Sequence, residues 1–213
     1  MTEKNQQLNP IQVKVILVGD SGVGKTSIIS RYIDKYSTNV ASTLTTSYFS
    51  KSEKIYDYNI NFQIWDTVGQ EQFRSLNTLF IKDAQICLMV YDITKKSSFF
   101  SIKDYWYETI LSNSVDNIIF GVAGNKNDLY LDEKVNKEEV QKFTDEINAI
   151  FKLTSAKDNV CIDEFFQSLG KKYIKSYFKK GIGPEFCKNE YKFNSFSLNS
   201  SINNKKKRVD KCC

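Results

Sequence analysis

The sequence predicts an α/β fold in which a six-stranded, mostly parallel sheet carries helices on both faces. Residues 11–178 alternate between strand-like and helix-like patterns, which is typical of such sheets. An apolar, β-branched run at residues 13–18 precedes a glycine-rich loop and then a segment in which Ile28 and Tyr32 recur at helical spacing. Two strand-like segments are separated by only a short turn near Asp57, so we expect a hairpin that adds one antiparallel strand.

The individual elements follow from these patterns in chain order. Predicted strands cover residues 12–18, 46–56, 59–66, 85–91, 117–123 and 150–154. Predicted helices cover residues 25–35, 72–81, 97–112, 136–149 and 160–178. We expect residues 1–10 to be a disordered N-terminus, 11–178 one folded domain, and 179–213, which are rich in Asn, Ser and Lys, a flexible basic tail.

Composition narrows the possible chemistry. Histidine is absent from all 213 residues, which excludes His-based acid–base catalysis, histidine metal ligands and Ser–His or Cys–His nucleophiles. No segment is long and apolar enough to span a bilayer, and no signal-like segment opens the chain, so we expect a protein of the cytosol or its membrane faces. Cys87 and Cys161 lie in apolar surroundings and are predicted to be reduced thiols.

The positive charge is concentrated at the end of the chain. The net charge is +5, but the residues from Lys179 onward hold nine Lys and Arg against three acids, which leaves the preceding residues at −1. A nearly neutral body argues against a nucleic-acid-binding domain. The basic tail instead predicts contact with something acidic.

Residues 19–26 match G-x-x-x-x-G-K-[ST], the pattern of a phosphate-binding P-loop. Glycines let the backbone bend so that its N–H groups point at phosphate oxygens. Lys25 then reaches the β- and γ-phosphates, and Thr26 offers a hydroxyl to Mg²⁺. The alternative, a chance glycine-rich turn, is opposed by the strand before and the helix after. The candidate phosphate-binding residues are Gly19, Asp20, Ser21, Gly22, Val23, Gly24, Lys25, Thr26 and Ser27.

A second segment places a carboxylate at the end of an apolar strand. Asp66 stands where a P-loop enzyme needs a group to hold Mg²⁺. Gly69 allows a backbone N–H to approach the γ-phosphate, and Gln70 can orient an attacking water. The alternative is a strand end followed by an ordinary turn.

A third segment, residues 124–128, predicts selection of guanine. After an apolar run, Asn125 and Lys126 lead to Asp128, whose carboxylate can accept from the N1–H and 2-amino groups of guanine. Adenine offers neither donor there and would leave Asp128 unpaired, at a cost of roughly 1–3 kcal/mol. Lys126 is expected to lie along the plane of the base.

A fourth segment, residues 154–157, follows a short strand. Its small residues bring the Ala156 N–H toward guanine O6, beside Ser155, and Lys157 can stack on the base. Such a tetrapeptide is common by chance. It supports the prediction only because it is the last of four segments that occur in the expected order.

Together these segments resemble the Rab family of the Ras superfamily of small GTPases. The sequences NFQIW at 61–65, YDIT at 91–94 and the terminal Cys-Cys carry the likeness further, and it covers about residues 11–178 plus the last two. The resemblance implies a P-loop NTPase G domain that binds GTP or GDP with Mg²⁺ and regulates vesicle traffic. It also implies a monomer that binds no nucleic acid and works with an exchange factor, a GTPase-activating protein, a GDP-dissociation inhibitor, the Rab prenylation machinery and effectors.

The resemblance also assigns roles to single residues. Lys25 and Gln70 take catalytic roles, and a threonine in the first switch segment joins Thr26 and Asp66 at Mg²⁺. Thr43 fits this place, with one residue fewer than usual after the P-loop, while Thr45 and Thr46 are alternatives.

Two departures from the family pattern affect the switches. Val68 replaces the usual Ala next to the γ-phosphate glycine, and its stiff, branched side chain could slow hydrolysis or bias the switch. The family's aromatic triad that meets effectors falls on Tyr48, Trp65 and Phe80, and the alternative is that these are ordinary core aromatics. Partner choice is therefore more affected than nucleotide binding.

Arginine is scarce, with only Arg31, Arg74 and Arg208, none of them in switch I. An internal arginine finger is therefore absent, and the resemblance implies slow intrinsic hydrolysis, on the order of 10⁻⁴–10⁻³ per second, with an activating protein that supplies its own arginine.

The chain closes with a Lys-rich run and two adjacent thiols, Cys212 and Cys213. In Rab-like proteins both are geranylgeranylated, and two lipids give stable anchoring where one gives marginal binding. This predicts attachment to the cytoplasmic face of an intracellular membrane with a GDP-bound cytosolic pool, and switch I is faintly similar to that of endosomal Rabs. The alternatives are a nuclear-localisation patch and a plain solvated tail.

Two other functional classes remain open on the sequence. One is a P-loop ATPase or small-molecule kinase, which residues 125–128 oppose. The other is a non-hydrolysing binding module locked in one state, for which Val68 is the single hint.

Overall fold

The computed structural model describes residues 10–36, 46–67, 80–114 and 117–179. These form a six-stranded sheet in the order β2-β3-β1-β4-β5-β6. Every neighbouring pair is parallel except β2 and β3, which are antiparallel, so the predicted mixed sheet is confirmed. The strands are β1 Ile11–Val18, β2 Ser47–Ile55, β3 Tyr58–Asp66, β4 Ile86–Asp92, β5 Ile119–Asn125 and β6 Ile150–Leu153.

The hairpin of β2 and β3 turns through two residues, Tyr56 and Asp57, because Ile55 pairs with Tyr58. Tyr56 takes a left-handed backbone with a φ of 54°. Residues of β2 alternate between exposed and partly buried, as an edge strand should, whereas all residues of β4 and β5 are buried. The continuous apolar runs in the sequence therefore indicate strands in the interior of the sheet.

The helices largely follow the predicted segments. They are α1 Lys25–Tyr32, α2 Lys96–Ser101, α3 Tyr107–Asn113, α4 Lys137–Glu146 and α5 Ile162–Lys179. A π-helical stretch, Ile102–Trp106, joins α2 to α3, so the predicted helix 97–112 is one helical path in three pieces. A short 3₁₀ helix, Asn127–Asp132, was not predicted. Of the predicted helix 72–81, only Phe80 and Ile81 are described, and both are helical.

Two helices end three residues before their predicted ends. The first ends at Tyr32 because Asp34 adopts a left-handed backbone, with a φ of 59°. α4 ends at Glu146, and Asn148 then has a φ of 50°. Short polar residues tolerate this conformation and so stop a helix, a signal that apolar periodicity does not carry.

The sheet buries apolar side chains on both faces. One face packs Ile16, Met89 and Val122 against Phe99 and Trp106 of the α2–α3 path. On the other face the Tyr32 ring stacks on Phe166 of α5, with ring centroids 3.7 Å apart. Successive side chains of a strand point to opposite faces of the sheet, so a strand that is apolar throughout supplies apolar side chains to both faces.

The contacts divide the chain into two units, residues 1–173 and 174–213. The second unit is described only for residues 174–179, the end of α5. The predicted boundaries at residues 10 and 178 remain predictions. Among the described helices, none combines the length and apolar character needed to cross a membrane.

The two described cysteines are free thiols. Cys87 is fully buried, and this burial raises the pKa of its thiol. Cys161 is half-buried.

Removing the Phe166 ring tests the packing of α5 on the sheet. We expect Phe166→Ala to lower the free energy of unfolding by about 3–5 kcal/mol, because a fully buried ring leaves a cavity. Urea unfolding measures this loss. Leu111→Ala, at a side chain 46% exposed, is the matched control. A loss below about 1 kcal/mol for Phe166→Ala would contradict this packing.

Candidate nucleotide-binding site

The polar residues that the sequence singles out collect at one edge of the sheet. Parallel strands end at the same edge, and Asp66, Asp92 and Asn125 are the last residues of β3, β4 and β5. Side chains of distant sequence segments therefore meet where a ligand crevice is expected in an open α/β sheet.

The glycine-rich loop between β1 and α1 is pressed against the neighbouring strands. Gly19 and Gly24 have φ values of 142° and 99°. A Cβ on Gly19 would lie 2.2 Å from the carbonyl oxygen of Val90, and one on Gly24 would lie 2.2 Å from Nδ2 of Asn125. Only glycine fits these positions, and the loop thus leads into the N-terminal end of α1, which favours an anion.

Lys25, the first residue of α1, is buried with 6% exposure. Its ammonium donates to the carbonyl oxygens of Gly19 at 2.8 Å and Asp20 at 3.0 Å. Burial lowers the pKa of Lys25 to about 8, although Asp66 and Asp20 act to raise it. A phosphate group beside this ammonium would stabilise the charged form, because it brings negative charge into a desolvated place.

Thr26 and Asp66 form the candidate metal centre. The Thr26 hydroxyl donates to Oδ2 of Asp66 at 2.5 Å. The other carboxylate oxygen of Asp66 is buried and accepts no hydrogen bond from the described residues. Burial raises the pKa of Asp66, against the lowering effects of the Thr26 bond and Lys25. A buried carboxylate with an unused oxygen next to a hydroxyl fits a hard cation such as Mg²⁺.

This centre is sparse in protein ligands. The described residues contain no group of three or more His, Cys, Asp or Glu side chains that could hold a metal. That suits Mg²⁺, which keeps several waters and binds through one or two protein groups plus substrate phosphates. The predicted third protein ligand, Thr43, lies outside the described residues.

Asn125 connects the phosphate loop to the loop after β6. Its amide donates to the carbonyl of Val23 at 2.9 Å. Its side-chain oxygen accepts from the Ala156 N–H and the Thr154 hydroxyl, each at 3.3 Å. Asn125 is 2% exposed, and these contacts give it the role of joining the two loops.

Asp128 and the loop after β6 are brought together as the motifs predict. Oδ1 of Asp128 accepts from the Ser155 hydroxyl at 2.6 Å, and Oδ2 lies 4.0 Å from the Lys157 ammonium. The Asp128 side chain is 10% exposed and that of Lys157 is 69% exposed. The carboxylate is thus fixed within the predicted base site, and its contact with guanine remains a prediction.

Lys126 has a partner that sequence reasoning missed. Its ammonium lies 2.6 Å from Oδ2 of Asp92, a residue whose side chain is 1% exposed. Burial acts to raise the pKa of Asp92, but hydrogen bonds from Lys126 and Thr94 outweigh it and the net shift is downward. The sequence does carry a signal for this pair, since an Asp ends the apolar fourth strand.

Arg31 is the second residue that sequence reasoning missed. Its guanidinium donates to the carbonyls of Ala156 and Lys157, both at 2.8 Å. No local pattern indicates such a contact across about 125 residues of sequence.

Tyr48, Trp65 and Phe80 form a continuous aromatic row. The ring centroids of Tyr48 and Trp65 are 5.2 Å apart, and those of Trp65 and Phe80 are 5.4 Å apart. Tyr48 is 49% exposed, so it is not an ordinary core aromatic, while Trp65 and Phe80 are half-buried. The role of this row in binding effectors remains a prediction.

Several predicted functional residues lie outside the described ranges. They are Thr43, Thr45, Val68, Gly69, Gln70, Cys212 and Cys213.

Removing the Asn125 amide tests its joining role. We expect Asn125→Ala to speed release of a fluorescent GDP analogue by roughly 5- to 150-fold, because the buried groups it satisfies lose partners worth about 1–3 kcal/mol. Asn113→Ala is the control, since that amide only caps the end of α3 by donating to Thr109. A release rate within twofold of the wild type would show that Asn125 does not hold the site.

Comparisons with known proteins agree with this geometry. The sequence model of the Ras family matches residues 14–175. Ras-related protein RabJ of Dictyostelium discoideum is 37% identical over 175 residues, which cover 80% of this chain and 68% of the relative. Human Rab-31 and Rab-22A are each 36% identical, over 75% and 76% of this chain and 82% and 83% of their own lengths. The chain therefore belongs to the Rab family of Ras-related small GTPases, which bind GTP and GDP with Mg²⁺, hydrolyse GTP and act as switches in membrane traffic.

Proposed function

We propose that this Rab-family GTPase performs slow GTP hydrolysis with the residues described above and is held on a membrane by two lipids at its C-terminus. The observation that carries the first part is the contact between Thr26 and Asp66 beside the buried Lys25. It places a hydroxyl, a carboxylate and an ammonium together at the start of α1, where the phosphates and their cation are expected.

Phosphate binding falls to the glycine-rich loop and Lys25. The backbone N–H groups of residues 20–26 and the N-terminal end of α1 hold the α- and β-phosphate oxygens, and Lys25 reaches the β- and γ-phosphates. Thr26 and Asp66 would hold Mg²⁺, which when bound supplies positive charge that offsets the charge on the γ-phosphate oxygens. Lys25 adds to this from a desolvated position, where its charge acts more strongly than in water.

Guanine selection falls to the two loops that Asn125 joins. Asp128 is assigned to the N1–H and 2-amino groups of the base, and the Ala156 N–H to O6. The Ser155 hydroxyl donates to one carboxylate oxygen of Asp128, which fixes the orientation of that side chain. An adenine base offers Asp128 neither an N1–H nor a 2-amino donor, which opposes the alternative of a P-loop ATPase or small-molecule kinase.

Hydrolysis is assigned to an attacking water that Gln70 orients. Arg31, Arg74 and Arg208 are the three arginines of the sequence, and the guanidinium of Arg31 is committed to two backbone carbonyls. Intrinsic hydrolysis is therefore slow, on the order of 10⁻⁴–10⁻³ per second. An activating protein that adds an arginine could raise the rate by up to ~10⁵-fold, or about 7 kcal/mol of barrier.

As a Rab-family member the chain works with exchange factors, activating proteins, dissociation inhibitors and effectors. We assign the effector contact to the aromatic row of Tyr48, Trp65 and Phe80. Tyr48 supports this because a ring 49% exposed at the end of an edge strand offers apolar area to a partner.

The membrane anchor is assigned to Cys212 and Cys213, each carrying a geranylgeranyl group added by the Rab prenylation machinery. The preceding Lys-rich run adds roughly 1 kcal/mol of attraction per basic residue to an anionic leaflet. We propose that the membrane is that of endosomes, because the first switch segment is similar to that of endosomal Rabs.

Replacing the glutamine tests the hydrolytic assignment. We expect Gln70→Leu to slow single-turnover GTP hydrolysis at least about tenfold without an activating protein, because the water loses its orienting group. GDP affinity should not change, since Gln70 is assigned no contact with GDP. Phosphate release from pre-loaded protein measures the rate, with Gln141→Leu, at an exposed position of α4, as the control. An unchanged hydrolysis rate would remove Gln70 from the mechanism.

Replacing both terminal cysteines tests the anchor. We expect Cys212→Ser with Cys213→Ser to move the protein from the membrane pellet to the soluble fraction of cells, because the basic run alone binds weakly and is screened by salt. Replacing either cysteine alone should leave partial membrane binding. Cys87→Ala provides the matched control for loss of a thiol elsewhere in the chain. Persistent pelleting of the double variant would contradict the lipid anchor.

A further inference from the structure

Arg31 reaches across from α1 to the loop that follows β6. It lies in the last turn of α1 and is half-buried. Nε donates to the carbonyl of Ala156 and Nη2 to the carbonyl of Lys157, both at 2.8 Å. Two bonds of ordinary length from one rigid fork to consecutive carbonyls fix the orientation of that stretch of backbone.

Ala156 is held from two sides by these contacts. Arg31 binds its carbonyl, and Oδ1 of Asn125 accepts from its N–H. The second distance, 3.3 Å, is longer than the usual 2.9–3.0 Å for an N–H to oxygen bond, so this N–H can still serve a nearer acceptor. The carbonyl side of Ala156 is thus fixed more firmly than the N–H side.

The loop does not need Arg31 in order to form. Ser155 and Val160 exchange backbone hydrogen bonds at 3.2 and 2.9 Å, and the Asp158 N–H donates to the Ser155 hydroxyl at 3.0 Å. These bonds close the turn on itself. The contribution of Arg31 is therefore to set the direction in which the turn presents its backbone.

Tyr36 covers the guanidinium of Arg31. The Arg31 Cζ lies 3.6 Å from the centre of the Tyr36 ring. The N–H groups of a guanidinium lie in its plane and its faces are free for stacking, so the ring and the two carbonyls are compatible partners. Tyr36 is also the last described residue before residue 46, and it begins the segment that leads to Thr43.

We propose that Arg31 is a positioning residue for guanine recognition, which aims the Ala156 N–H at O6 of the base, and that Tyr36 shields this contact. The proposal rests on the assignment of Ala156 to O6 in the proposed function. A lysine cannot replace Arg31, because an ammonium lacks both the planar fork and the stacking face.

Three nucleotides distinguish this role from a general loss of structure. GDP has O6, the N1–H and the 2-amino group; inosine diphosphate keeps O6 and the N1–H; and 2-aminopurine riboside diphosphate keeps the 2-amino group but has neither O6 nor an N1–H. We expect Arg31→Lys in the full chain to speed release of GDP and inosine diphosphate by about 5- to 30-fold, the loss of one to two hydrogen bonds. Release of the 2-aminopurine nucleotide should change less than twofold. Lys35→Gln, which removes an exposed neighbouring charge, is the control and should alter none of the three rates.

Equal acceleration of all three nucleotides, or no acceleration of any, would overturn the proposal. If the wild type itself releases the O6-containing and O6-free nucleotides alike, the assignment of Ala156 fails, and the proposal fails with it. A failure of the Arg31 assignment alone gives a different result. In that case the wild type and Arg31→Lys both distinguish the O6-containing nucleotides from the O6-free one.

Tyr36 supplies a second and independent variant. Tyr36→Phe keeps the ring and should leave all release rates within twofold of the wild type. Tyr36→Ala should speed release of GDP more than release of the 2-aminopurine nucleotide. In the double variant its effect should not add to that of Arg31→Lys, because the two residues act through one contact. Full additivity would show that Tyr36 does not work through Arg31.

Discussion

The buried amide of Asn125 is the interaction on which the nucleotide site depends. One side chain donates to the phosphate loop at Val23 and accepts from the loop after β6 at Ala156, while its own backbone ends strand β5. The loops it joins come from places in the sequence more than 100 residues apart, so their relative position cannot come from local structure. Gly24 must lack a side chain for the same reason, since a Cβ there would meet the amide.

Close to Asn125 the site contains charged side chains that are buried, where a charge costs free energy because it has lost its hydration. Lys25, Asp66 and Asp92 are each nearly inaccessible to water. Oδ2 of Asp92 forms an ion pair with the Lys126 ammonium, and Oδ1 accepts from the N–H and hydroxyl of Thr94. Asp66 keeps one oxygen without a hydrogen bond from the described residues. A buried carboxylate oxygen without a hydrogen bond, next to a desolvated ammonium, favours a ligand with complementary charges, because the desolvation cost is already part of the folded state. The nucleotide and its cation complete the electrostatics of the fold.

The order of elements could be predicted from the sequence because it depends on short-range patterns. Apolar runs such as residues 86–91 identify buried strands, and the glycine spacing of residues 19–24 identifies the phosphate loop. Helix ends were predicted less well, since Asp34 and Asn148 stop helices through left-handed backbones that apolar spacing does not encode. The 3₁₀ helix after Lys126 was not predicted, because it follows a left-handed backbone at Lys126, with a φ of 66°, that apolar spacing does not encode either.

The partners of the motif residues could not be predicted, and the reason is physical. A motif specifies which groups touch the ligand, whereas the groups behind them are chosen by three-dimensional packing. Asp92 and Arg31 both belong to this second kind, since one lies on a neighbouring strand and the other on a helix far along the chain. Asp92 pairs with Lys126 and Arg31 binds the carbonyl of Ala156, so each holds a residue that a motif supplies.

This arrangement links base recognition to the body of the domain. Lys126 is fixed to the end of β4 through Asp92, and residues 156–157 are fixed to the end of α1 through Arg31. α1 also carries Lys25 and Thr26 at its other end, so one eight-residue helix bears on the phosphate site and the base site together. A shift of α1 along its axis would therefore disturb both ends of the nucleotide at once. The stacked rings of Tyr32 and Phe166 oppose such a shift, because they fix α1 against α5 in the core.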